Sequence, residues 1–137
     1  MDIRIGLSQI GNRAQTGNYS TNEFVEMVEF AITKDITTFD SSPGYGSGEE
    51  LLAKLPDQIK TKIKVNSKNT PGLTEHTGAE QTLKIRTQLD RTLKILSNIK
   101  IDTFFINKPD LNKLSLDVFK ELNRYVQNGD IKKIGVV

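Results

Sequence analysis

The chain has 137 residues, of which 36% are apolar (AVILMFWYC) and 26% charged, and its 19 Lys and Arg against 17 Asp and Glu leave a net charge of +2. That composition suits one soluble globular domain and gives no electrostatic case for a nucleic-acid partner. The absence of cysteine excludes disulfides, thiolate catalysis and Cys-based zinc, the lone His76 cannot build a His-rich metal site, and no apolar run approaches the ~20 residues of a membrane span.

Residues 3–7 (IRIGL) read as a first strand. The start MDIRIGLSQI is too short and too charged for a signal peptide, so the expected location is cytoplasmic, with no membrane partner and with the sequon Asn18-Tyr19-Ser20 unmodified. Ser20-Thr21-Asn22-Glu23 has the form of a capping box, and Phe24, Met27, Val28, Ala31 and Ile32 then fall on one helical face. Residues 36–40 (ITTFD) are a second strand. Ser47-Gly48-Glu49-Glu50 repeats the capping pattern before a short helix with Leu51, Leu52 and Leu55, which Pro56 ends. Residues 62–67 (KIKVNS) form a third strand, and 69–78 a loop rich in turn formers.

The spacing then predicts a helix over 79–97 with Ile85, Leu89, Leu93 and Leu96 on one stripe, and a fourth strand over 102–106 (DTFFI). Ser115 is placed to cap a helix running through 126, with Leu116, Phe119, Leu122 and Val126 inward and Gly129 just past its end. Residues 131–137 (IKKIGVV) are a fifth strand. Strands joined by helices run parallel, so the class is α/β with about five parallel strands and four helices over a single domain, 1–137. Two architectures fit: an open doubly wound sheet, or the first five strands of an eight-stranded barrel, which needs ~250 residues when complete.

In either architecture the loops after the strands' C-terminal ends form the ligand face. Asp40 ends the second strand, Tyr45 follows in the loop SSPGYGSGEE, Lys68 ends the third strand, and Asn107 ends the fourth before Lys108-Pro109-Asp110. Asp, Tyr and Lys on one rim suggest acid catalysis by a phenol. A lysine ammonium stabilises the phenolate, an aspartate holds the lysine, and an amide donor can orient a carbonyl. Taken singly each has a plainer reading: Asp40 and Asn107 as turn residues, Tyr45 as a loop aromatic, Lys68 as a solvated lysine and His76 as a surface histidine.

Together they match a pattern. Asp40-Ser41-Ser42-Pro43-Gly44-Tyr45-Gly46-Ser47-Gly48-Glu49-Glu50-Leu51-Leu52 resembles the signature of the aldo-keto reductase family, with Asp and Tyr five apart before a Glu-rich helix start. Val65-Asn66-Ser67-Lys68 is similar to the family's third-strand segment ending in its catalytic lysine. Leu93-Lys94-Ile95-Leu96 followed by 101–106, Asn107-Lys108-Pro109-Asp110 and Gly129-Asp130-Ile131-Lys132-Lys133-Ile134-Gly135-Val136 resemble three further family segments, in order and in register over about 3–137. The resemblance implies a (β/α)8 barrel and NADPH-dependent reduction of aldehydes and ketones. It implies Tyr45 as general acid, Lys68 as the cation that lowers its pKa, and Asp40 as the partner of Lys68.

The sequence departs from the family twice. Asn107 stands where the family usually has histidine; it keeps an N–H donor but cannot titrate. The potassium-channel β-subunit branch of the family carries asparagine there too. The sequence also stops at Val137, before the family segments that make most NADPH contacts, so no cofactor-binding residue is assigned and no turnover is expected of this chain alone. Two unpaired edge strands and an apolar inner face would then be exposed, and three outcomes are expected: pairing with a second copy, a separately encoded second half-barrel as partner, or poor stability. Three functions compete: a reductase or reductase subunit, a non-catalytic remnant or protein-interaction subunit of the same fold, and a small ligand-binding α/β domain. The last is weakest, because Ser8-Gln9-Ile10-Gly11-Asn12-Arg13 lacks the G-x-G-x-x-G of a phosphate loop.

Overall fold

The computed structural model of the chain describes residues 3–107 and 111–137. Strands β1 (Arg4–Gly6), β2 (Thr38–Asp40), β3 (Lys64–Lys68), β4 (Lys100–Ile106) and β5 (Ile131–Val136) form one sheet. Around them lie helices α1 (Ser8–Gln15), α2 (Thr21–Thr33), α3 (Gly48–Ala53), α4 (Asp57–Lys60), α5 (Gly78–Ile95) and α6 (Leu116–Gln127), with a 3-10 turn at Leu73–Glu75.

The strand order is β1-β2-β3-β4-β5 and every pairing is parallel. Each strand therefore lies beside its predecessor in sequence, and the winding never reverses. An open doubly wound sheet reverses at its switch point, whereas a barrel winds one way throughout. Sequential order decides between the two architectures in favour of the barrel type.

Alternation along the strands separates two faces. Phe39, Val65, Ile101, Phe104, Ile106 and Ile131 are buried against the helices, where they meet Phe24 and Val28 of α2, Ile85 and Leu89 of α5, and Val118 and Leu122 of α6. The other face is polar, which corrects the expectation of an apolar inner face. It carries Arg4, Thr38, Asp40, Lys64, Asn66, Lys68, Thr103 and Lys133, with Phe105 as its aromatic side chain and Val137 beside it. A Cβ on Gly135 would lie 2.6 Å from the Phe105 ring, so glycine makes room for that ring. The β3–β4 register slips between Val65 and Asn66, leaving Asp102 as the extra residue of β4.

The helix signals hold in part. Ser20 caps α2 as expected: its hydroxyl accepts from the Glu23 N–H at 3.2 Å and Glu23 accepts from the Ser20 N–H at 2.8 Å. Gly129 follows α6 with φ +82°, as its position predicts. Ser47 makes no capping hydrogen bond: its ψ of 23° is far from the extended backbone that aims an N-cap hydroxyl at the helix, and the reciprocal bond is lost because its N–H donates to the Gly11 carbonyl (3.1 Å) and the Glu50 carboxylate faces Arg91 (3.3 Å). Ser115 precedes α6 but its hydroxyl caps nothing. Instead, a capping box at Thr77 and Glu80 starts α5 one residue earlier than the predicted 79. Helices α1 (Ser8–Gln15) and α4 (Asp57–Lys60) stand where the sequence signals assign no element. In α6 Leu122 is buried and Val126 packs on the core as expected, but the start of the stripe differs: Val118 is fully buried and Leu116 is 69% exposed.

Candidate active site

Asp40 and Lys68 close β2 and β3 at the same end of the sheet. Between them the chain turns sharply. The Tyr45 N–H donates to the Ser42 carbonyl (3.0 Å) and the Gly44 N–H to the Ser42 hydroxyl (3.2 Å). Pro43 presets the backbone of that turn. The Tyr45 carbonyl then accepts from Gly48 at 3.0 Å as α3 begins. Behind the loop stands α1, whose Gly11 approaches so closely that a Cβ there would sit 2.0 Å from the Tyr45 carbonyl oxygen. Tyr45 is thus held from behind by backbone.

This scaffold brings Asp40, Tyr45 and Lys68 to one cavity of about 170 Å³, lined also by Arg4, Asn66, Ser67 and Phe105. The Lys68 ammonium lies 4.8 Å from the centre of the Tyr45 ring, a cation–π contact. The expected Asp40–Lys68 pair is not the one made. Asp40 accepts a hydrogen bond from Asn66 Nδ2 at 2.7 Å and lies 4.0 Å from Arg4 Nη1. Register explains this: Asp40 stands opposite Asn66, while Lys68 is two residues, about 6.6 Å, further along the strand. Asn107 does not line the cavity. Its side-chain amide donates to the Asn69 carbonyl at 2.6 Å and its N–H to Asn69 Oδ1 at 2.9 Å. The amide donor is turned toward the neighbouring loop. Lys108, Pro109 and Asp110 lie outside the described residues.

Three participants escaped the sequence reading. Asn66 shares a face with Lys68 by simple alternation, so period two was a usable signal; its Oδ1 is buried without a partner. Arg4 reaches Asp40 from the neighbouring strand. Glu49, only 2% exposed, accepts from the Thr92 hydroxyl at 3.0 Å and pairs with Arg91 at 3.3 Å. Burial pushes the Glu49 carboxyl up, and the Thr92 hydroxyl and the Arg91 guanidinium oppose that rise without cancelling it.

Lower on the polar face, Lys64, Lys132 and Lys133 converge on Asp102 at 3.9, 3.7 and 3.5 Å. Burial works to raise the Asp102 carboxyl, yet the Thr103 hydroxyl and these three ammonium groups together hold it below the usual range.

The model of the aldo/keto reductase family matches residues 2–137. The chain belongs to that family. An aldo-keto reductase of Pseudocercospora fijiensis is 33% identical over 96 residues, covering 68% of this chain and 31% of that protein. A crystal structure of a Pseudomonas aeruginosa protein assigned to the aldo-keto reductases superposes with a TM-score of 0.78 at 21% identity, covering 98% of this chain and 54% of that one. A thermostable aldo-keto reductase solved with the inhibitor epalrestat gives a TM-score of 0.69 at 25% identity, over 99% of this chain and 48% of that one. The chain therefore spans about half the length of these solved structures, and its five strands correspond to part of their (β/α)8 barrel.

The rim cavity is by itself too small for a dinucleotide, and a second cavity of about 310 Å³ on the same face shares Arg4, Asn66 and Phe105 with it. The cavity of about 170 Å³ admits a carbonyl group and its neighbours; sites for drug-sized ligands start near ~300 Å³. Among the described residues no helix is long and apolar enough to cross a membrane.

Proposed function

We propose that this rim is the acid half of a carbonyl-reducing site of the aldo-keto reductase type, acting on an aldehyde or ketone, with a dinucleotide seat that these residues do not build. The observation that supports it most is the Lys68 ammonium over the Tyr45 ring. NADPH, the reductant implied by family resemblance, would supply the hydride. The Tyr45 hydroxyl donates its proton to the carbonyl oxygen, and the Lys68 charge attracts the negative charge left on the phenol oxygen. Asp40 is held by Asn66 and Arg4, keeping the floor of the site polar and fixed. A cytoplasmic setting goes with this reading.

A second reading is a non-catalytic interaction subunit of the same fold. It draws on the Asn107 amide being engaged by Asn69 and on Asp40 pairing away from Lys68. Under either reading β1 and β5 each pair on one side only, and a second copy or a separately encoded half-barrel is the partner that would cover those edges. Light scattering after size-exclusion chromatography tests that; a monomer at every concentration, unchanged by co-expressed candidates, speaks against it.

The functional test is a fluorescence titration with NADPH followed by aldehyde-dependent NADPH oxidation. Turnover that falls about 10²–10⁴-fold in Tyr45→Phe supports the reductase reading. Turnover indifferent to that change removes Tyr45 from its role. Absence of both binding and turnover favours the second reading.

A further inference from the structure

Glu49 is an ionisable group inside the protein that the proton-transfer chemistry does not use. It lies four residues after Tyr45, in the first turn of α3, and is 2% exposed. Its two oxygens face α5: Oε1 accepts from the Thr92 hydroxyl at 3.0 Å and Oε2 pairs with Arg91 Nη1 at 3.3 Å. Thr92 is itself fully buried. On the third side stands Ser67, the residue before Lys68 in β3. Ser67 is 1% exposed; its hydroxyl makes no hydrogen bond at ordinary distance, and it works to lower the Glu49 carboxyl.

Glu49 is thus where three elements meet: the helix that continues from the Tyr45 loop, the strand that ends in Lys68, and the long helix behind both. Isolating a carboxylate there is costly unless it is bonded on several sides. An apolar side chain would fill the same space without that cost. What a carboxylate adds is direction, because each bond fixes the spacing of one element relative to another.

We propose that Glu49 is a positioning residue: by tying α3 to α5 beside Ser67 it holds Tyr45 and Lys68 at the separation where the ammonium covers the ring. The catalytic consequence rests on the reading of the rim given above, but the positional one does not.

The test reads the contact itself. An ammonium-bearing side chain stacked on a tyrosine has its ε-CH₂ protons moved upfield by the ring current, and selective lysine labelling resolves Lys68 by NMR. Tyr45→Leu is expected to remove that shift. Glu49→Ala should remove most of it while far-UV circular dichroism stays native. Glu49→Gln, which keeps an acceptor for Thr92, should restore most of it. Thr92→Val, a near-isosteric change, should reduce it and serves as the measurement if Glu49→Ala does not fold. A Lys68 signal unmoved in folded Glu49→Ala, or in Thr92→Val where alanine fails to fold, overturns the proposal. A Lys68 signal that Tyr45→Leu does not move shows that the contact is absent, which overturns the proposal and the rim reading together. A contact that depends on Glu49 in a protein whose NADPH oxidation ignores Tyr45 leaves the positioning role standing and removes only the catalytic one.

Discussion

Gly11 offers the sharpest check on how the candidate site is held. An alanine Cβ there would lie 2.0 Å from the Tyr45 carbonyl oxygen, 2.8 Å from the Gly48 nitrogen and 3.0 Å from its Cα. Against an ordinary heavy-atom separation of ~3.5 Å the first overlap is about 1.5 Å. All three atoms are backbone, so no side chain can rotate away. Either α1 tilts or the loop carrying Tyr45 retreats. Retreat also strains the hydrogen bond from the Ser47 N–H to the Gly11 carbonyl (3.1 Å). Overpacking costs ~1–3 kcal/mol and a lost hydrogen bond ~1 kcal/mol, so about 3 kcal/mol is expected for Gly11→Ala. With ~2.1 cal/mol/K of unfolding entropy per residue over 137 residues, the melting temperature should fall about 10 °C. Gly129→Ala is the control. It has φ +82° but nothing within 4 Å of an added Cβ, so its cost is confined to the left-handed backbone, ~1–2 kcal/mol. Thermal melts followed by circular dichroism read both. A Gly11→Ala melt within about 2 °C of the parent, against the ~10 °C expected, would refute the picture of α1 as a rigid stop behind Tyr45.

Two further outcomes follow from the helical layer. Glu121 is held below the ordinary carboxylate range first by its hydrogen bond from Arg86 (2.8 Å) and then by the charges of Arg86 and Arg124, with burial opposing. Its folded pKa is depressed, so its contribution is present above the unfolded value near ~4.3 and is lost as pH falls through the lower folded value. Glu121→Gln should therefore flatten the acid limb of a stability–pH curve; an acid limb unchanged from the parent would contradict the pairing. In the same helix, Val118→Ala should cost about 2 kcal/mol and Leu116→Gln less than ~0.5 kcal/mol, as urea titrations would show. The reverse order would mean that the stripe read from the sequence, with Leu116 inward, was right.

What the sequence made legible follows what local chemistry determines. The Ser20 capping box, the C-terminal Gly129 and the α2 and α5 stripes depend on neighbours within a turn or two, and they came through. The failures arise where a distant group competes. Ser47 has the residue type of a cap, but Gly11, 36 positions away in the chain and adjacent in space, takes the N–H that the reciprocal half of a capping box needs. Leu116 has the right residue type for a core position, but the docking of α6 on α5, fastened by the Tyr125 hydroxyl donating to Asp90 at 2.5 Å, turns Val118 inward instead. For the site, the convergence of Asp40, Tyr45 and Lys68 was readable because strand ends in a parallel sheet share a rim. The pairing of Asp40 was not, because Arg4 and Asn66 reach it through lateral register, which no single strand encodes, even though alternation alone puts Asn66 on the Lys68 face.

The polar lining of the sheet has one more consequence. Two copies laid lining to lining would set Lys64, Lys132 and Lys133 against their own images, with the single carboxylate of Asp102 at the centre of each triplet. At physiological ionic strength such repulsion reaches ~8 Å, the range over which approaching surfaces first sense each other. Raised salt should ease self-pairing through this surface, while a carboxylate-rich cover would be drawn to it in dilute buffer.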